Sequence, residues 1–203
     1  MMKISALMIP DPITIGENAS IQEAIERMKI NSIRHLPVVD AHKRLRGLVT
    51  LADLKQGLIP SMVADLNLAD LMIRDPLCVT PDDDVEVAAQ IIYKHKISGM
   101  PVIRAGKLVG IITESDILRT FIDMMGILTS SSRLDVALDD SPEAFHQVLQ
   151  RINAHGGDVI NVGLVPRAGG KRRVYYFRLS TCKTAPIRKA LENEGYQVLE
   201  AMD

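Results

Sequence analysis

The sequence predicts a mixed α/β chain: two β-α-β-β-α repeats packed as a pseudo-symmetric pair, followed by a smaller β-α-β-β-α-β domain. The first observation behind this is an internal repeat. At an offset of 64, Leu7-Met8 falls on Leu71-Met72, Asp11-Pro12 on Asp75-Pro76, Ala24 on Ala88, Ile33 on Ile97 and Pro37 on Pro101. After a one-residue deletion, at an offset of 63, Gly47, Thr50 and Asp53 fall on Gly110, Thr113 and Asp116. The second is that both copies carry the same order of apolar strand runs and amphipathic helices. The third is that the tail beyond Ser130-Ser131-Ser132 has a different grammar. Similar repeats pack on each other, so what one presents the other presents too, and a paired site is expected. The expected boundaries are 1-62 and 63-126 for the repeats, 127-132 for a linker and 133-203 for the tail domain.

In the first repeat Pro12-Ile13-Thr14-Ile15 reads as a short strand. Ser20 then caps a helix, Glu23 completes an S-x-x-E box, and Ile21, Ala24, Ile25 and Met28 share one face. Asp84, Val85, Ala88, Ala89 and Ile92 repeat that stripe in the second copy. Leu36-Pro37-Val38-Val39 and Met100-Pro101-Val102-Ile103 are strands whose early proline suits an edge or a strand start. After a turn, Leu45 to Val49 and Leu108 to Ile112 return as second strands and lead into second helices. Residues 55-70 form a connector with helical character near Met62 to Leu66, and the last helix of the second copy continues through Ile117, Phe121 and Met124 to Gly126. Met124-Met125 reads as helix core.

In the tail, Leu134 to Leu138 reads as a strand and Pro142 to His155 as a helix stopped by Gly156-Gly157. Val159 to Val165 and Val174 to Leu179 form a hairpin around Arg167 to Lys171, Pro186 to Glu194 is a second helix, and Tyr196 to Met202 is a last strand. That order is the ferredoxin-like split arrangement.

Composition narrows the function. A 47% hydrophobic content supports real cores and excludes a disordered chain. With 24 Lys+Arg against 25 Asp+Glu there is no global field to draw the chain to nucleic acid or anionic lipid, and aromatics at 3% leave few rings for base stacking. The basic hairpin tip with Arg167, Lys171, Arg172 and Arg173 reads as solvated. Cys78 and Cys182 belong to no CxxC pattern and read as two buried reduced thiols in strands or at strand ends. No apolar run approaches the roughly 20 residues of a membrane span, and Met1-Met2-Lys3 leads into the first repeat rather than a signal peptide, so a cytoplasmic protein is expected. The histidines show no metal-ligand spacing, and no G-x-S-x-G, Walker A or G-x-G-x-x-G motif is present.

The motif that carries chemistry is G-h-h-T-x-x-D (h, apolar), at Gly47 to Asp53 and Gly110 to Asp116. Thr followed three residues later by an acid just before a helix is what an N-cap looks like. A capping box prefers Glu or Gln in the fourth place, however, as at Ser20 to Glu23, whereas both T-x-x-D sites carry Asp. The same residues suit a nucleotide: a helix N-terminus offers N–H groups to phosphate, a threonine hydroxyl adds a donor, and a carboxylate accepts from a ribose diol. Capping and binding need not exclude each other.

Two β-α-β-β-α repeats with h-x-x-P-V-V/I strands and G-h-h-T-x-x-D ends resemble a pair of CBS domains, a Bateman module, over about residues 1-125. The resemblance implies that adenosyl ligands such as AMP, ADP, ATP or S-adenosylmethionine bind in two clefts between the repeats, with no cofactor required. It also implies that each cleft joins the early strands of one repeat to the T-x-x-D of the other. One cleft would then use the segment around Ile4, with Arg34 and His35, together with Thr113 and Asp116. The other would use the segment around Ala69, with Ser98 and Gly99, together with Thr50 and Asp53. Lys55 and Arg119 are candidates for phosphate charge.

The tail resembles an ACT domain through Asp140-Ser141-Pro142-Glu143-Ala144-Phe145 and Gly157 to Val162. Glu143 stands where that family's amino-acid binders have glycine, which favours a pairing or relaying role. CBS pair plus ACT-like tail resembles the AcuB (acetoin utilisation) family. The expectation is a non-catalytic, homodimeric regulatory protein without nucleic-acid or membrane partners. The alternatives are an enzyme of small-molecule metabolism with a built-in regulatory module, which leaves no chain to house a catalytic site, and a structural adaptor with empty clefts.

Overall fold

The computed structural model describes residues 2–57, 66–128, 131–139, 141–165 and 172–203. The expected helical character near Met62 to Leu66, the boundary at Ser130, Asp140 and the Arg167 to Lys171 hairpin tip lie wholly or partly outside them. The chain forms two compact units, Met1–Leu118 and Arg119–Asp203, dividing inside a helix ahead of the expected linker.

Repeat one supplies β1 (Ile9–Pro10), β2 (Ile15–Gly16), α1 (Ile21–Ile30), β3 (His35–Val39), β4 (Leu45–Thr50) and α2 (Leu51–Gly57). Repeat two supplies α3 (Leu68–Leu71), α4 (Val85–His95), β5 (Gly99–Arg104), β6 (Lys107–Thr113) and α5 (Glu114–Met124). The strand expected over Pro12 to Ile15 is confined to Ile15–Gly16, and α5 ends at Met124 rather than at Gly126. Ser20 Oγ accepts the Glu23 N–H at 3.0 Å, which satisfies one free donor of the first turn of α1. The expected box is only half made, because the Glu23 carboxylate pairs with Arg27 instead. Asp84 stands at the N-cap of α4 rather than on its apolar stripe, and its carboxylate pairs with Lys3 at 2.8 Å.

The two sheets run β2-β3-β4 and β1-β6-β5. Strand β3 is central rather than an edge, yet β2 covers only Val38 and Val39. Pro37 sits ahead of that stretch, so its missing N–H leaves no ladder bond unmade.

The leading segments of the repeats are exchanged. β1, from the start of repeat one, pairs with β6 of repeat two. Ile4 is fully buried among Val79, Ala88, Met100, Val102 and Ile112 of the second core. Reciprocally, Ile73 trades both backbone hydrogen bonds with Leu48 of β4, at 2.9 and 2.8 Å. Leu68 and Met72 join Ile15, Ala24, Met28, Leu36, Val49 and Leu54 in the first core. Burying each such side chain contributes about 1.5–3 kcal/mol, so the exchange ties the repeats together by their cores as well as their backbones.

The exchange explains the glycine of the repeated motif. A Cβ on Gly47 would lie 2.8 Å from the Ile73 carbonyl oxygen and 2.8 Å from Met72 Sδ. One on Gly110 would lie 2.6 Å from Met8 Sδ and 3.2 Å from the Ile9 carbonyl oxygen. Met8 and Met72 occupy equivalent places in the repeat, so both glycines make room for the same incoming turn.

The second unit contains β7 (Ser131–Asp139), α6 (Pro142–Ala154), β8 (Val159–Val165), β9 (Arg172–Ser180), α7 (Thr184–Asn193) and β10 (Gln197–Met202). Its four strands pair antiparallel in the order β10-β7-β9-β8, the ferredoxin-like arrangement. Leu134, Val136, Leu138, Phe177 and Leu179 pack against Val148 and Ile152 of α6 and Ile187 and Leu191 of α7. Ser141 caps α6. Lys183, at the N-cap of α7, gives no side-chain cap; Asp203 accepts from both the N–H and the hydroxyl of Thr184, each at 2.8 Å.

Neither cysteine lies in a strand. Cys78 and Cys182 are both half-buried free thiols in irregular segments. Met124 is 57% exposed rather than core, and Met125 is half-buried with its sulfur 4.0 Å from the Tyr176 hydroxyl.

Candidate ligand clefts

Both T-x-x-D motifs sit where a strand hands over to a helix, β4 to α2 and β6 to α5. The two junctions are built alike. Asp53 Oδ2 accepts from the Thr50 N–H at 2.9 Å and from the Thr50 hydroxyl at 2.7 Å, while the Asp53 N–H donates to Thr50 Oγ1 at 3.3 Å. Asp116 and Thr113 repeat this at 2.9, 2.6 and 3.4 Å. Each Asp therefore closes its own helix start as a cap. Among the described residues both bonds to Asp53 fall on Oδ2, and Oδ1 makes none.

The first helical N–H of each junction points across to the segment ahead of the neighbouring strand. Leu51 N–H donates to the Arg34 carbonyl at 2.9 Å and Glu114 N–H to the Ser98 carbonyl at 3.0 Å. These bonds set Arg34-His35 and Ser98-Gly99, equivalent pairs in the repeat, beside the helix starts. The pairs differ in size for a steric reason. His35 Nε2 lies 2.8 Å from Ser98 Oγ and 3.3 Å from where a Cβ on Gly99 would stand, so the larger pair fills space that the smaller one cedes. Burial pushes the His35 imidazole below its usual 6.5, the Arg34 charge acts in the same direction, and the ring is neutral at pH 7.

Two clefts flank this contact. The larger, of about 330 Å³, is lined by Thr50, Leu51, Ala52 and Lys55 of repeat one, with Arg34 and His35, and by Ser98 of repeat two. The smaller, of about 200 Å³, sets Ser32, Ile33, Arg34 and His35 of repeat one, with Ile9, against Ile111, Thr113 and Ser115. Arg34 and His35 line both. The larger falls within the usual 300–1,000 Å³ of small-molecule sites, and both combine apolar walls with a few polar groups.

The structure thus brings Thr50, Lys55 and Ser98 together, and Arg34 and His35 with Thr113. It does not bring the remaining predicted residues to a wall. Ile4 is wholly in the core, and Ile9 is the residue of that segment that reaches a cleft. Ala69 packs against the first core, Gly99 is buried beneath His35, and Arg119 is exposed on α5 outside both linings. The Asp53 and Asp116 carboxylates stand behind their threonines. Reading the sequence missed Leu51 and Ala52 of the larger cleft and Ile9, Ser32, Ile33, Ile111 and Ser115 of the smaller. Ala52 and Ser115 stand at equivalent places between the Thr and Asp of the motif, and that position inside the motif was the signal for both. Among the described residues no group of three metal-binding side chains occurs, and no helix is long and apolar enough to cross a membrane.

The CBS domain family matches residues 4–59 and 68–123. Among solved structures, a Vibrio cholerae protein described as an acetoin utilization protein (AcuB) is 34% identical, with a TM-score of 0.56, over 63% of this chain and 95% of that one. The CBS domain pair of protein MJ0100, solved with 5′-methylthioadenosine and S-adenosyl-L-methionine, is 32% identical with a TM-score of 0.56 over 60% and 96%. CBSX2 solved with AMP is 28% identical with a TM-score of 0.54 over 61% and 98%. A curated relative, inosine-5′-monophosphate dehydrogenase of Methanocaldococcus jannaschii, is 30% identical over 75% of this chain and 30% of its own length. Homoserine O-acetyltransferase of Methanohalobium evestigatum is 36% identical over 57% of this chain and 23% of its own. The chain spans less than a third of these curated relatives. With two matched segments that together cover more than half of its length, and with the paired strand-to-helix junctions of the fold, the chain belongs to the CBS-domain family.

Proposed function

We propose that the chain is a non-catalytic cytoplasmic sensor. An adenosyl ligand, AMP, ADP, ATP or S-adenosylmethionine, occupies the clefts, and the second unit passes the bound state on as an ACT-like relay. The observation that carries this is the pair of clefts, each joining a T-x-x-D helix start of one repeat to residues of the other. Solved relatives at 32% and 28% identity hold S-adenosyl-L-methionine with 5′-methylthioadenosine and AMP, which supports the ligand class. Asp53 and Asp116 hold Thr50 and Thr113, the residues of the motif that reach the cleft walls, so the cap positions the binder. Helix α5 starts at the smaller cleft and ends in the second unit, which gives the relay a covalent route.

Self-association as a homodimer is the expected output. Exposed Leu118, Phe121, Met124 and Leu128 and the edge-strand side chains Val162, Leu164, Leu199 and Met202 are surfaces that pairing would cover. A place in acetoin metabolism rests on the likeness to the Vibrio cholerae protein alone.

Thermal melting with AMP, ADP, ATP and S-adenosylmethionine tests the reading. At about 100 times its dissociation constant a ligand contributes about 2.7 kcal/mol per site. Asp53→Ala and Asp116→Ala should each lower the unliganded midpoint, through the lost cap, and abolish the ligand increment of one site. An unchanged wild-type midpoint with all four ligands at millimolar concentration would refute the sensor.

A further inference from the structure

We infer that the two clefts select adenosyl ligands of different charge: a phosphorylated nucleotide in the larger, and an adenosyl ligand without phosphate, neutral or sulfonium-bearing, in the smaller. This rests on the sensor reading and adds to it which ligand class goes where.

The two repeats match in fold but not in charge at these walls. Arg34 of repeat one is answered by Ser98 in repeat two. At the offset of 63, Lys55 is answered by Leu118, and Leu51, the first residue of α2, is answered by Glu114, the first of α5. The larger cleft therefore has two cationic side chains on its wall, Arg34 and Lys55, and an apolar residue at its helix start. The smaller has only Arg34, which it shares, and its helix start places Glu114 between the lining residues Thr113 and Ser115.

Both cations are uncommitted. Arg34 and Lys55 are exposed, and among the described residues neither side chain makes a hydrogen bond or ion pair. A phosphate entering the larger cleft meets the guanidinium and the ammonium. It also claims Arg34, which one phosphate can engage bidentately. A second phosphate in the smaller cleft would then find no cation of its own on that wall, and the Glu114 carboxylate, between the lining residues Thr113 and Ser115 though not itself on the wall, would repel it. The threonine and serine hydroxyls and the apolar wall of Ile9, Ile33 and Ile111 suit an uncharged ribose and base instead, and Glu114 favours a sulfonium over a phosphate. The smaller volume, about 200 against about 330 Å³, suits adenosine, which lacks the bulk of a phosphate.

Isothermal titration calorimetry of the full chain with AMP, adenosine and S-adenosylmethionine decides it. The expected result is one AMP per chain, bound at least tenfold more tightly than adenosine. Chain saturated with AMP should still bind one adenosine or one S-adenosylmethionine. K55A should weaken AMP about tenfold and leave the second event in place. E114Q should weaken S-adenosylmethionine and allow a second AMP to bind. Two AMP of equal affinity per chain with K55A silent, or AMP and adenosine competing for every site, would overturn the charge assignment while leaving the sensor standing. Silence with all three ligands would overturn both.

Discussion

Alanine at position 47 should destabilise the first unit more than alanine at position 110, although the two sites are equivalent in the repeat. At Gly47 the new Cβ meets the Ile73 carbonyl oxygen at 2.8 Å, a backbone atom held by its own pairing with Leu48. Relief there requires the exchanged segment to move. At Gly110 the nearest atom is Met8 Sδ, at 2.6 Å, near the end of a half-buried flexible side chain, and the Ile9 carbonyl oxygen is farther off at 3.2 Å. Overpacking of this kind costs about 1–3 kcal/mol. Replacing glycine narrows the unfolded ensemble and returns about 0.4–1 kcal/mol. Gly47→Ala should therefore lose about 1–2 kcal/mol net and Gly110→Ala about 0–1 kcal/mol. In urea denaturation followed by far-UV circular dichroism, at an m-value of about 2 kcal/mol/M, Gly47→Ala lowers the midpoint by roughly 0.5–1 M. Met8→Ala should recover part of the Gly110→Ala loss, with a coupling of about 0.5 kcal/mol or more. A Gly47→Ala protein as stable as wild type, or more stable than Gly110→Ala, would refute the exchanged-segment account of the motif glycine.

Two pH dependences follow from the remaining shifts. Folding depresses the His35 pKa, mainly by burial, so the unfolded chain takes up its proton first as pH falls. The stability that His35 supplies is whole above about 6.5 and declines below it; urea midpoints measured from pH 7 to 5 should fall more steeply in wild type than in His35→Gln, and equal slopes would contradict this. Asp203 is held down to about 2 by the Thr184 N–H and hydroxyl and by Lys183. Its contribution to the second unit is present above 3.8 and lost as pH falls toward 2, so Asp203→Asn should flatten the acid limb of the unfolding curve between those values, and an unchanged limb would show that the cap does not persist in solution.

Much of the fold was legible because its signals are local. The Ser20 cap, the stripe through Ala24 and Met28, and the order of strands and helices along the tail each depend on a few neighbouring residues, and each stands in the structure. What could not be read was long-range. Ile4 and Leu68 look like ordinary apolar starts of their own repeats; no local pattern sends each across to the other core, and only the family resemblance implied the crossing. The α7 cap comes from Asp203, 19 residues away, so no window around Lys183 contains it. At the clefts, reading the motif located the junctions but not their orientation. The T-x-x-D spacing is the same whether the carboxylate turns toward its threonine or toward a ligand. Both bonds to Asp53 come from Thr50 and fall on Oδ2, so the carboxylate turns toward its threonine.

The exchange of leading segments also bears on what the module can report. A ligand shifts an equilibrium only by its difference in affinity for the two states, and couplings of about 1–3 kcal/mol correspond to factors of about 5–150. Ile9 pairs with Ile111 on the wall of the smaller cleft and Leu48 with Ile73, so the repeats are tied to each other by backbone pairs at the exchanged segments. Two identical clefts between repeats tied in this way would report a single concentration twice. Arg34 removes that redundancy, since it stands on both walls and an anion that claims it in one cleft alters the field in the other. On the proposed charge assignment, clefts that share one guanidinium would respond to the balance between phosphorylated and unphosphorylated adenosyl ligands. That balance is a more informative input than either concentration alone.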